Sequence, residues 1–198
     1  MGIDSVHREA QRLEKAGSDA LAKDDYQTAA DDFRKAAEKL RGAGDFDKAA
    51  FDSERAGDAL EAEGGRKSKA GDLKGAENAF NGAAANFEAA GADTLKTKSG
   101  RPLPPGSMRY GDAQRYYGAA GTDRVYAGAS AEAGGAKNGK AEAAKDYRQG
   151  QADFKKAGDA AMKNRHNDDA LDYYDKAEKA GKAAQEVSAA HDKPKKGH

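Results

Sequence analysis

Large apolar residues are sparse along this chain, and alanine and glycine fill the positions between them at helical spacing. From residue 3 to 23 the stripe is Val6, Leu13, Ala16, Ala20 and Leu21, which predicts a first helix. Asp24 or Asp25 supplies a cap, because a carboxylate accepts the free N–H groups of a first helical turn. Tyr26, Ala29, Phe33, Ala36, Ala37 and Leu40 then form the buried stripe of a second helix, closed by Gly42 and Gly44. The starter recurs as an acidic residue, a large apolar one, two spacers and an alanine: Asp25-Tyr26…Ala29, Asp45-Phe46…Ala49, Asp72-Leu73…Ala76. It predicts a third helix carrying Ala49, Ala56 and Leu60, and a fourth carrying Ala76, Phe80, Ala83 and Phe87. The longer interval before the fourth helix falls at Gly64-Gly65-Arg66-Lys67-Ser68-Lys69 and reads as a basic loop.

Residues 91–108 hold three of the four prolines and are expected to be free of helix, since proline lacks the N–H and biases its predecessor to extended geometry. Residues 109–135 are rich in glycine and tyrosine, and one or two short helices split near Gly121-Thr122-Asp123 are expected. A long helix follows from Asn138 to about Lys163, with Ala141, Ala144, Tyr147, Phe154, Ala157 and Ala161 on its stripe. A last helix runs from Asp168 to about Ala190, and the tail HDKPKKGH reads as a frayed basic end. The expected organisation is an N-terminal helical region at 1–91, a Pro/Gly-rich linker or long loop at 92–112, a C-terminal helical region at 113–190 and a disordered tail at 191–198.

Two stretches match in spacing. In Leu13–Ala36 and Phe154–Ala177 an apolar residue is followed by Ala-Gly (Ala16-Gly17, Ala157-Gly158) and an alanine (Ala20, Ala161). After a turn come Ala29, Phe33, Ala36 and Ala170, Tyr174, Ala177. A mid-helix glycine costs up to about 1 kcal/mol against alanine, so Gly17 points to close contact with the following helix. On these residues the chain resembles the tetratricopeptide repeat, and residues 3–91 resemble the soluble attachment proteins of vesicle fusion. The resemblance implies an all-α fold of antiparallel helical hairpins stacked as a short α-solenoid, which binds a protein or peptide on one face. Gln11, Glu14 and Ser18, and again Ala152, Lys155 and Asp159, stand where that family carries a basic clamp for C-terminal carboxylates.

Composition narrows the function. Lys+Arg and Asp+Glu are both 34, so net charge gives no long-range pull toward nucleic acid or an anionic membrane. No cysteine excludes disulfides and thiolate chemistry, and no stretch approaches the ~20 apolar residues of a membrane span. A cytoplasmic protein is expected. Leu, Ile, Val and Phe total only eighteen residues, and mean hydropathy is −1.00. That composition also resembles the hydrophilin-like, late-embryogenesis-abundant stress proteins, which is the alternative reading.

Candidate chemistry is thin. Gly134-Gly135-Ala136-Lys137-Asn138-Gly139-Lys140 fits part of a phosphate-binding loop, but Ala141 takes the place of the Mg²⁺-holding hydroxyl and no strand precedes it, so an interhelix turn is expected. His166-Asn167-Asp168-Asp169 reads as a helix-capping cluster, not a metal site. The carboxylates interleave with basic residues, as in Asp32-Phe33-Arg34-Lys35…Glu38, and read as a solvated face. Neither catalytic residues, cofactor nor metal are expected. The partner-binding candidates are Arg109, Tyr110, Arg115, Tyr116, Tyr117, Arg124 and Tyr126, since tyrosine and arginine combine large contact area with polar ends. A protein or peptide partner, or self-association, fits better than nucleic acid.

Overall fold

A computed structural model describes residues 3–96, 102–136 and 138–191. Among them, the helices are α1 (Ile3–Leu21), α2 (Tyr26–Gly42), α3 (Phe46–Lys69), α4 (Leu73–Thr94), α5 (Met108–Ala133), α6 (Gly139–Lys163) and α7 (Asn167–His191). Strand is absent from the described residues. Each helix packs along the next one in the chain, so the fold is a stack of antiparallel helical hairpins, as expected.

The recurring acidic starter caps helices as the sequence implies. Asp25, Asp45 and Asp72 accept from the backbone N–H of Thr28, Lys48 and Gly75 at 3.1, 3.5 and 2.9 Å. The preceding turns reverse through Asp24, Gly44 and Gly71, which have φ of 55°, 76° and 80°. In this left-handed region glycine avoids the Cβ clash, so Gly44 and Gly71 make the reversal at little cost.

Small residues let the helices approach, and aromatic rings fill the approach. Added β-carbons at Gly17, Gly57, Gly64, Gly121, Gly128 and Gly158 would meet the rings of Phe33, Phe87, Phe80, Phe154, Tyr147 and Tyr174 at 2.7 to 2.9 Å. Between α3 and α4 the glycines 57 and 64 face the rings 87 and 80. Between α5 and α6 the glycines 121 and 128 face the rings 154 and 147. Both sets are spaced by seven residues, about two turns, so one antiparallel register satisfies both contacts. The largest hydrophobic cluster runs from Ala20 and Phe33 through Leu60 and Phe87 to Tyr116 and Ala120, joining α1 to α5 without a break at the proline-rich connection.

Polar contacts tie the helices into two rows. In the odd-numbered row, Arg55 of α3 donates to Ser18 of α1 at 2.7 Å, Tyr116 of α5 donates to Glu54 of α3 at 2.7 Å, and Gln114 of α5 donates to Asp169 of α7 at 3.0 Å. In the even-numbered row, Arg41 of α2 pairs with Asp93 of α4 at 2.7 Å, and Lys156 of α6 with Glu88 of α4 at 2.6 Å. The outermost helices turn charged faces outward. On α7 the exposed pairs Lys179–Asp175 and Lys182–Glu178 are both 2.6 Å long. On α1, Arg8, Arg12, Lys15 and Asp19 are exposed.

Four expectations need correction. Residues 109–135 are not one or two short helices split near Gly121: α5 is a single helix of 26 residues that runs through that point. Its glycines receive neighbouring side chains and do not break it: Gly118 faces Tyr173 and Gly121 faces Phe154, each at 2.7 Å. The basic stretch 64–69 is not a loop but the last turns of α3, which has 24 residues against 17 in α2, because Gly64 takes the Phe80 ring. Helix also persists beyond residue 91, to Thr94, so the connection to α5 covers 95–107. Ala16 is exposed while its counterpart Ala157 is buried, because α1 has a neighbour on one side and α6 on two. The tail after His191 lies outside the described residues, as does Lys137 in the turn between α5 and α6.

Candidate interaction surface

The seven Tyr and Arg candidates all lie on α5, but they do not form one patch. Arg109 pairs with Asp47 of α3 and donates to the carbonyl of Lys96 at 2.7 Å. The Tyr110 hydroxyl donates to the Leu103 carbonyl at 3.2 Å. Arg115 pairs with Glu54, which also accepts from the buried Tyr116 hydroxyl. Burial alone would raise the Glu54 carboxyl, but the bonds from Arg115 and Tyr116 outweigh it and hold the group below its usual range. The Tyr116 phenol is pushed far up, by burial first and then by Glu54. Tyr117 lies over Gly91 of α4, and the Lys156 ammonium sits 5.5 Å from its ring centre. Arg124 reaches Asn81 and Glu88 of α4. The sequence places these seven together; the structure distributes six of them among contacts to α3, α4 and the connection before α5.

Tyr126 stands apart. It is 49% exposed, and its ring centre lies 5.4 Å from that of Phe80. It forms the common wall of two apolar grooves. One, of about 370 Å³, lies between the C-terminal halves of α3 and α5, with Leu73 and Phe80 of α4 beneath it and Ala129 and Ala133 alongside. The other, of about 360 Å³, lies between α5 and α7, with Tyr147 and Phe154 of α6 beneath it and Val125, Ala180 and Ala183 on its sides.

Each groove lies between two successive odd-numbered helices. Near their N-terminal ends α3 and α5 are held by Glu54, Arg115 and Tyr116, and α5 and α7 by Tyr173 against Gly118 and by Gln114 to Asp169. In each groove the even-numbered helix between the two odd-numbered ones forms the floor. Each groove is lined by residues of three helices, so the spacing within any one of them gives little sign of its walls. One signal is present: Tyr126 is out of phase with the buried stripe Ala113, Ala120 and Ala127 of its own helix.

The expected solvated carboxylate face holds for Asp31, Arg34 and Glu38, which form exposed pairs along α2. It fails for Asp52, Asp93, Asp123, Asp146 and Asp153, all buried between helices. Burial, with Glu14 beside it, pushes Asp52 up to about 7. Burial, with Glu61 beside it, pushes Asp123 up to about 8. Burial first, and then Glu88, push Asp153 up to about 7, while Glu88, bonded to Lys156, is held below its usual range. Asp52, Asp123 and Asp153 each keep a buried side-chain oxygen without a hydrogen-bond partner. Among the described residues no helix is long and apolar enough to cross a membrane.

No protein-family model and no curated protein matches the chain. Among solved structures, the chain is similar to one described as the DHF58 filament, with a TM-score of 0.64 and 13% identity over 96% of this chain and 85% of that one. At that identity the likeness is one of fold: a stack of helices of the same general course.

Proposed function

We propose that the chain is a non-catalytic interaction scaffold of the tetratricopeptide-like kind, which holds a segment of a protein partner in the grooves beside Tyr126. The observation that carries this reading is the half-exposed Tyr126 ring, set as the shared wall of two apolar grooves on one row of helices. Helical-repeat stacks contact only their neighbours, so one row stays available as an extended surface. Tyrosine on such a surface contributes large contact area at low entropic cost, which is why it recurs among dominant interface residues. The matched Leu13–Ala36 and Phe154–Ala177 hairpins support the kinship, because in both the glycine of the first helix receives the ring of the second.

The test is site-specific photo-crosslinking in extracts of the native source. A benzophenone amino acid at position 126 is expected to capture a defined segment that the same probe at exposed Lys15 of α1 does not capture. That segment, synthesised, should bind the purified protein, and Tyr126→Ala should weaken it by about tenfold or more with an unchanged melt. Equal labelling from both positions, or wild-type affinity in the variant, removes the groove from consideration.

A further inference from the structure

The turn between α5 and α6 lacks the hydroxyl and the strand of a phosphate-binding loop, but it carries a different chemistry. The chain holds two Asn-Gly steps, Asn81-Gly82 and Asn138-Gly139. In such a step the glycine nitrogen can bond to the carboxamide carbon Cγ of the asparagine. The Cγ–Nδ2 bond then breaks, and ammonia leaves with the proton of the glycine N–H. Water opens the cyclic imide at either carbonyl, which gives aspartate or isoaspartate. Nothing is oxidised or reduced, and water is the one co-reactant. Glycine favours the closure because no Cβ crowds its nitrogen.

The fold treats the two steps in opposite ways. Asn81 lies within α4, where its side-chain oxygen accepts from Arg124 and its Nδ2 donates to Asp146 at 3.2 Å. A β-carbon on Gly82 would meet Leu60 at 2.8 Å, and the Gly82 nitrogen stands inside the hydrogen-bonded ladder of α4. Cyclisation there would break both side-chain bonds and open the middle of a packed helix. Asn138 is exposed, and its side chain makes no cap bond. It stands just before the first residue of α6. Closure there releases the turn bond from Gly139 N to the Ala136 carbonyl, 2.8 Å, and the first helical bond from Glu142 N to the Asn138 carbonyl, 3.0 Å. Helix ends open at small free-energy cost, and the middle of a packed helix opens at a large one.

The product changes a cavity. Asn138 lines a hollow of about 580 Å³ at the facing ends of α4, α5 and α6, whose charged lining is Asp72, Lys74, Glu77 and Glu142. Lys74, the one cation among the described lining residues, donates to Glu77 at 2.9 Å and to Glu142 at 3.0 Å. We propose that Asn138-Gly139 is a spontaneous deamidation site, which adds a carboxylate to this hollow as the protein ages, whereas the fold protects Asn81-Gly82. The aspartate product suits the start of α6, where the helix dipole favours negative charge. The isoaspartate product puts an extra methylene into the main chain at the helix entry, beside the carbonyl that accepts from Glu142 N.

The purified full chain is held folded in mildly alkaline buffer, sampled over weeks and mapped by peptide mass spectrometry. The mass change of an amide-to-acid exchange is expected at Asn138, and about tenfold or more slower at Asn81. Electron-transfer fragmentation should find both aspartate and isoaspartate at position 138. In urea, where the fold is lost, the two steps should convert at similar rates, with Asn81 rising to meet Asn138. Asn138→Gln, whose longer side chain closes a less favourable ring, should stay unmodified at 138 with an unchanged melt. Equal rates at the two steps in the folded protein overturn the protection of Asn81. An Asn138 that stays intact in the folded protein and converts only in urea overturns the site itself.

Discussion

Phe33 of α2 occupies the space that a side chain on Gly17 of α1 would need: three ring carbons lie 2.8 to 3.0 Å from the β-carbon position. Alanine at 17 would gain up to about 1 kcal/mol in helix propensity but would force a fully buried ring to move, a strain of about 1–3 kcal/mol. Gly17→Ala is therefore expected to lower stability on balance. Gly65, also within α3, has nothing within 4 Å of its β-carbon position. Gly65→Ala should raise stability by about 0.5–1 kcal/mol. Thermal melts of the two variants should move in opposite directions.

The buried aspartates make stability depend on pH with a definite sign. Asp52, Asp123 and Asp153 are raised to about 7 or 8 in the fold, against about 3.9 in the unfolded chain. Between those values the native state holds more protons than the unfolded one. Their contribution is thus full below about pH 4 and is lost as pH rises toward 7–8. Glu54 and Glu88, held low, act in the opposite sense: they stabilise above the unfolded carboxylate range, and that support is lost as pH falls below it. Asp123→Asn, which mimics the protonated carboxyl, should gain about 1–3 kcal/mol over wild type above pH 8, the range for an uncompensated buried polar group, and little near pH 5. Urea titrations at the two pH values read the difference directly.

Asp93 is 1% exposed and accepts from Arg41 Nε and Nη2 at 2.8 and 2.7 Å, with Lys96 on its other oxygen at 2.9 Å. Arg41→Ala should cost about 2–4 kcal/mol, because it leaves a buried carboxylate with one exposed partner. Arg41→Lys should recover only part of the loss, since an ammonium cannot reproduce the two-pronged contact. Asp93→Asn in the Arg41→Ala background should restore stability. Chemical denaturation of wild type, Arg41→Ala, Asp93→Asn and the double variant closes the cycle, with Arg41→Lys measured beside them.

The charged outer faces of α1 and α7 should keep the stack from growing end to end, as polar end repeats do in other solenoids. The protein is expected to sediment as a monomer at micromolar concentration. Replacing Asp168, Asp175 and Lys182 on the outer face of α7 with leucine should produce concentration-dependent association. A wild-type protein that already associates at low concentration would count against the capping role.

Much of the fold is legible in the sequence where one helix has one clear partner. The Asp caps, the Gly17–Phe33 and Gly158–Tyr174 contacts and the long α6 follow from local spacing. α5 is obscured because its neighbours lie on several sides, so Ala113, Tyr116, Ala120 and Asp123 are all buried and no single stripe stands out. Glycines that read as breaks are sites of contact, and only the position of Phe154 or Tyr147 on the next helix tells the two apart. The buried aspartates are hidden for a related reason. Asp52 and Asp153 look like surface residues until the helix two places away in the chain covers them. The grooves draw their lining from three helices each, which no local spacing reveals.

The seven-residue interval between successive glycine–ring pairs limits how this architecture changes size. Removing one residue from α3 would rotate its remaining glycine away from the opposing phenylalanine, whereas removing a block of seven from both α3 and α4 would drop the Gly64–Phe80 rung and leave Gly57–Phe87 in place. Hairpins of this kind are expected to lengthen or shorten in quanta of two turns on both strands of the pair.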